Sequence, residues 1–400
     1  MKLKFSANSI LLIATRQIGD VLLVTPLLRS IRRAYPNAVI DVLVYENKGG
    51  MLEGNPDYNT LISVAEHPNF RQYQTLLKRL FRRYDLAIST LPGDRPLTYA
   101  LLAAPKRVAI VPSRGGNPQK SNKPSLLKNL SKSNKTGFLN KLGLAWLIDL
   151  KPARSALKRF VVHTWTELDN QNTHTVIQNL RLADLLGIER CYRIVIPQTP
   201  DYIEVLNQRL PFAWQTQPFA VLHILPMWHY KRWTLTGWLQ LIDSLIKVGL
   251  RVVLTGGGSP SETAYLKKAM LQMPDAVINL AGQLRFAHIT KLISTCQVYI
   301  GPDTAVTHLA AAIGTPTVAL YGPTNPLKWA PWPHQYALDK TPFKHQGTQQ
   351  VGNVLLVQGT GDCVPCHQEG CEQHKQSHSR CLEELDSGVV IDAVKTIISK

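Results

Sequence analysis

Residues 298–326 run through strand, tight loop, helix and strand in immediate succession, an order that points to an α/β fold built on a parallel sheet. The apolar run Val298-Tyr299-Ile300 ends in Gly301-Pro302, Asp303 and Thr304 follow, and a helical period runs from Val306 to Ile313. Gly314 stops that helix, and a second apolar strand over 317–321 leads into another Gly-Pro turn. The loop sets an Asp, a Thr and free backbone amides at a helix N-terminus. Such a place suits phosphate, because the first amides have no intrahelical partner and the dipole favours negative charge.

The rest of the chain repeats this alternation. Strands are predicted over 10–15, 39–45, 60–64, 86–90 and 107–111, with helices over 20–35, 73–84, 97–104 and 173–186. Residues 189–218 hold four prolines and little period, so an interdomain linker is expected over 191–218. A second series follows, with strands over 219–225, 251–255, 277–280 and 298–300 and helices over 236–248, 261–272 and 286–295. The expected architecture is two Rossmann-like domains facing across a cleft, residues 1–190 and 219–385, with ligands at the carboxyl ends of the strands. A last helix over 389–398, capped by Ser387, occupies 386–400.

Four hundred residues are ample for two cores. No apolar run is long enough to cross a bilayer, and residues 10–14 are too short for a signal peptide and lack a cleavage-like site, which reads as a cytosolic first strand. The net charge of +18 is concentrated: residues 106–160 carry thirteen Lys or Arg against the single acid Asp149, hence +12 of it. Within that segment, 113–135 reads as a loop and 139–150, with Trp146, as an apolar stretch suited to a membrane surface. The alternatives are a solvated loop and attraction to an anionic surface: phospholipid, phosphorylated glycolipid or nucleic acid. Little aromatic interleaving accompanies the charge, so no nucleic-acid partner is expected.

The loop Thr15-Arg16-Gln17-Ile18-Gly19-Asp20 follows the first strand and opens a helix, without the Gly-x-Gly-x-x-Gly dinucleotide spacing. Asp20 reads either as a helix N-cap or as a general base aimed into the cleft. Here a resemblance enters. Residues 16–26, Arg-Gln-Ile-Gly-Asp-Val-Leu-Leu-Val-Thr-Pro, look like the amino-terminal signature of the ADP-heptose:lipopolysaccharide heptosyltransferases. Residues 301–312 with 320–324 resemble their carboxyl-terminal signature, and the late cysteine cluster resembles that of a branch-heptose-adding subgroup.

That resemblance implies the glycosyltransferase B architecture and transfer of heptose with inversion, with no metal at the diphosphate and no cofactor for catalysis. It implies an ADP-heptose donor, a lipopolysaccharide core acceptor and a place on the cytoplasmic face of the inner membrane of a Gram-negative cell. Carried over residue by residue, Asp20 matches the base and Lys231 the diphosphate-binding cation. Gly19, Glu262, Asp303, Thr304, Ala305, Val306 and His308 fall on the donor side, and Arg16 and Gln17 on the acceptor side. The chain departs from the pattern at 223–228, His-Ile-Leu-Pro-Met-Trp, where many members carry His-Pro-Gly or a Thr-rich run; a different nucleotide-sugar donor is the alternative. His174, opening a helix, reads as a capping or packing residue. In the family's architecture the last helix can pack back on the first domain.

Cys363, Cys366, Cys371 and Cys381 cluster late, with His367, His374 and His378 between them. They read as a candidate structural zinc site, as reduced thiols or, least in keeping with a cytosolic chain, as disulfides.

Overall fold

The computed structural model describes residues 6–113, 159 and 161–399. Its first unit contains β1 (Ser9–Ile13), α1 (Ile18–Leu22), α2 (Thr25–Ala34), β2 (Val39–Tyr45), β3 (Thr60–Val64), α3 (Phe70–Leu80), β4 (Leu86–Ser89), α4 (Asp94–Ala103), β5 (Lys106–Val111), β6 (Thr164–Glu167) and α5 (Thr175–Leu186). The six strands are parallel in the order β3-β2-β1-β4-β5-β6. β1 and β4 are covered on both faces, which is why they read as continuous apolar runs.

The second unit follows α6 (Tyr202–Arg209) with β7 (Phe219–His223), α7 (Leu235–Lys247), β8 (Arg251–Thr255), α8 (Pro260–Met270), β9 (Val277–Asn279), α9 (Phe286–Thr295), β10 (Val298–Pro302), α10 (Ala305–Ile313) and β11 (Thr317–Tyr321). It closes with α11 (Pro326–Trp329), β12 (Gln349–Val351), β13 (Val354–Gln358), α12 (Arg380–Glu383) and α13 (Ser387–Ile398). Read from the far edge, β9-β8-β7-β10-β11-β13 repeats the first sheet's order, and β12 adds an antiparallel edge. Both sheets therefore reverse direction at one point, between β1 and β4 and between β7 and β10. The loops at the carboxyl ends of those four strands are where an open α/β sheet takes its ligands.

Four expectations are corrected. The single helix over 20–35 is two, because Pro26 cannot donate to the Leu22 carbonyl, which accepts from Thr25 Oγ1 at 2.8 Å instead. The linker is not structureless: it contains α6, whose Leu206 is buried, and α6 packs on α9. The last helix is capped by Asp386, whose side chain accepts from the Gly388 amide at 2.8 Å, not by Ser387. Nor does that helix rest chiefly on the first unit. Its apolar face (Val390, Val394, Ile397) joins the second unit's core, and α13 lies on α7, β11 and β13. The basic loop and apolar stretch expected over 113–150 fall almost wholly outside the described residues.

Candidate active site

Asp20 is the third residue of α1, so its carboxylate sits at the positive end of that helix. It is not the N-cap; Gln17 holds that position, without a side-chain bond. The Asp20 side chain is 13% exposed, and its Oδ2 lies 3.6 Å from Arg16 Nε. Oδ1 is buried without a hydrogen-bond partner among the described residues, and so is Thr15 Oγ1. Both residues line a cavity of about 560 Å³ with Arg16, Gln17, Tyr45, Leu91 and the start of α4 at Gly93–Pro96. That cavity occupies the switch point between β1 and β4. An acidic oxygen left without a donor beside an open cavity is placed to accept a proton from whatever hydroxyl enters.

The second sheet contributes the opposing half. Asp303 follows β10 and is 8% exposed. It accepts from Lys231 Nζ, from Thr324 Oγ1 at 2.8 Å and from Tyr321 Oη at 3.3 Å, with His308 Nε2 3.8 Å away. Burial pushes its carboxyl up, but the Lys231 ammonium and His308 prevail and hold it well below the usual carboxylate range. Asp303 is thus an anion that anchors Lys231, which stands on the short turn His229–Lys231 after β7. Thr304 caps α10 by accepting from the Thr307 amide at 3.4 Å. The Ala305 and Val306 amides precede the first intrahelical bond and lie at the same mouth.

The two halves meet over small residues. A Cβ on Gly19 would stand 3.4 Å from Ala305 Cα and 3.8 Å from His308 Cδ2, ordinary contact distances, so α1 lies directly against α10 of the second unit. Gly19, Asp20, Lys231 and the 303–308 loop and helix are brought to one cleft. Glu262 stands further along the same sheet edge, engaged with Ser259 in the capping box of α8. Its carboxylate leans over Gly257, where a Cβ would come within 2.5 Å of Oε2.

Lys328 went unread in the sequence. It is 3% exposed, donates to the Asp169 carbonyl of the first unit at 2.6 Å, and lies 5.6 Å from the centre of the Trp329 ring. Arg16 lies 5.6 Å from the centre of the same ring. Burial first, then the Arg16 cation, push the Lys328 ammonium down to about 8, while Asp169 and Asp20 act in the other direction. A lone lysine after Asn-Pro has no spacing to announce it; only the packing of α11 on the 169–175 loop reveals it. Two further bonds cross there, Asn325 Nδ2 to Gln171 O at 2.8 Å and Thr175 Oγ1 to Lys328 O at 3.1 Å.

His174 belongs to this seam and not to the chemistry. Its Nδ1 accepts from the Val176 amide at 3.1 Å as the N-cap of α5, which makes Nε2 the donor to Ala330 O at 2.8 Å. Burial lowers its pKa from 6.5 to about 3. Between those values the unfolded chain binds the proton and the folded one does not, so stability falls as pH falls through that window. The expected loss at pH 4 is about 3 kcal/mol from this residue alone. His223, lowered to about 4 chiefly by burial, adds to it. Thermal unfolding followed from pH 7 to pH 4 should show the decline, with a shallower slope in His174→Asn.

The sequence profile of glycosyltransferase family 9 (heptosyltransferase) matches residues 117–354, more than half of the chain. The chain belongs to that family. This transferase is 26% identical to lipopolysaccharide heptosyltransferase 3 of Escherichia coli (strain K12), over 79% of its own length and 83% of the relative's. Its fold is similar to that of the family 9 glycosyl transferase from Veillonella parvula DSM 2008, with 18% identity and a TM-score of 0.71 covering 100% of this chain and 99% of that one. It is also similar to that of the E. coli heptosyltransferase WaaC solved with ADP-2-deoxy-2-fluoro heptose, with 17% identity and a TM-score of 0.62 covering 97% and 99%.

Of the three readings of the late cysteines of the transferase, the structure shows the thiols free. Among the described residues no three His, Cys, Asp or Glu side chains are placed to hold a metal ion. Cys363 and Cys371 are exposed and Cys381 is buried, and all are free thiols, as is Cys366. Gly359 and Gly322 pack directly on Cys381, and Cys371 Sγ accepts from the Arg380 amide at 3.5 Å.

Proposed function

We propose that this transferase moves heptose from ADP-heptose to the inner core of lipopolysaccharide, with inversion and without a metal at the diphosphate. The observation that carries the reading is the convergence on one cleft of an undonated Asp20 oxygen from the first sheet and an anchored Lys231 from the second. In the proposed reaction Asp20 takes the proton from the acceptor hydroxyl as that oxygen bonds to the anomeric carbon. The bond from the anomeric carbon to ADP breaks, and its electron pair leaves with the diphosphate. Lys231 and the Ala305 and Val306 amides neutralise that leaving group. Thr304 and His308 shape this donor mouth with Asp303, Glu262 faces the nucleoside, and Arg16 and Gln17 position the acceptor in the cavity beside Asp20. The name of the E. coli relative and the ADP-2-deoxy-2-fluoro heptose bound in the similar structure support donor and acceptor.

The acceptor is lipid-anchored in this reading, so the enzyme works at the cytoplasmic face of the inner membrane, drawn there by the basic segment 106–160. No described helix is long and apolar enough to cross a membrane. Mass analysis of lipopolysaccharide from cells lacking this chain should show core lacking one heptose; unaltered core would refute the assignment.

One observation favours a second donor. Met227, 56% exposed, follows Pro226 in the loop after β7, where small hydroxyl and glycine groups would line a diphosphate site. Competing ADP-heptose against other nucleotide sugars for protection against thermal unfolding separates the two readings.

A further inference from the structure

We infer that the outer face of α3 is a docking surface for an anionic lipid bilayer. Residues 69–84 contain five Lys or Arg and no Asp or Glu. All five cations (Arg71, Lys78, Arg79, Arg82, Arg83) are exposed, and none forms an ion pair with a described residue. The same element exposes two aromatic rings, Phe70 at 75% and Phe81 at 61%. They stand at the two ends of the helix about three turns apart, hence on one side of it. Leu76 and Leu80, on the other side, are buried in the first unit's core. Leu101, 46% exposed, adds an apolar side chain at the corner where the Arg82 amide donates to Leu102 O.

A helix held by its own apolar stripe has no folding reason to point two phenylalanines at water. Phenyl rings flanked by cations without an acidic partner among the described residues, with Arg82 5.9 Å from the centre of the Phe81 ring, match the bilayer interface, where rings enter the acyl boundary and cations meet anionic headgroups. A solvated basic face accounts for the charge but not for the rings. Position agrees. α3 starts at the sheet end that carries the Asp20 cavity, and cavity-lining Arg95 donates to Glu66 O in the loop leading into Phe70. A bilayer against α3 would meet the rim of the cavity, so an acceptor could enter without leaving the membrane. This surface rests on the proposed lipid-anchored acceptor for its purpose alone; bilayer binding requires no transfer.

Co-sedimentation of the full chain with vesicles of phosphatidylglycerol and phosphatidylethanolamine, against phosphatidylcholine alone, tests it. The expected result is salt-sensitive binding to the anionic vesicles only. Phe70→Ser/Phe81→Ser and Arg71→Glu/Arg79→Glu should each weaken it about tenfold. Thermal unfolding with and without ADP checks that both variants stay folded. Wild-type binding retained in both double variants would overturn the assignment to α3, because segment 106–160 would then suffice. So would indifference of the wild type to anionic vesicles. Loss of self-association in the variants with vesicle binding intact would assign the face to a second copy of the chain instead.

Discussion

Replacing Asp20 by Asn should lower the turnover of transfer about a thousandfold while leaving donor affinity nearly unchanged. Asn keeps the size and one oxygen but cannot take a proton, and Oδ1 has no described donor whose loss would disturb the fold. The Arg16 contact at 3.6 Å is long and partly exposed, so its loss should cost little stability. Single-turnover measurement with saturating donor separates chemistry from binding. A variant that keeps more than about a tenth of the wild-type rate would remove Asp20 from the role of base.

Lys231→Ala should fail in two ways that can be told apart. Transfer should fall about a hundredfold or more, because the departing diphosphate loses its cation. Stability should fall by about 3–5 kcal/mol, because Asp303 is left buried and charged with only Thr324, Tyr321 and His308 around it. The double variant Lys231→Ala/Asp303→Asn should recover most of the stability and none of the rate, since the second change removes the stranded charge without restoring a cation. Equal recovery of both would mean that Lys231 serves the fold and not the leaving group. Asp303 is thus better described as the anchor of Lys231 than as a direct phosphate contact, a relation that strand and loop patterns do not express.

Much of the architecture was legible because parallel strands buried on both faces read as apolar runs, as in Phe219–His223 and Thr317–Tyr321, both buried throughout. The loop after β10 was legible for the same reason in reverse, as its Gly-Pro, Asp and Thr interrupt two such runs. Less regular parts escaped. β6 is a four-residue strand of partly buried residues, Thr164–Glu167, with no apolar run to mark it. The antiparallel β12 lies at an edge and is half-buried throughout, so its pattern is weak. The break between α1 and α2 was written in Thr25-Pro26 but overridden by the helical period on either side. Lys328 and its Asp169 partner are far apart in sequence and became visible only when the two units were seen packed together. Cys363 to Cys381 are a different case: their spacing suggests a metal site, while among the described residues no three ligands are set to hold an ion.

The most direct test of the central claim is reaction of the purified chain with ADP-heptose and a lipopolysaccharide acceptor lacking the heptose in question, followed by mass analysis of the acceptor and assay of released ADP. One heptosyl group gained per ADP released, of anomeric configuration opposite to the donor's, is the expected result. An acceptor that stays unchanged with ADP-heptose but gains a sugar from another nucleotide donor would contradict it.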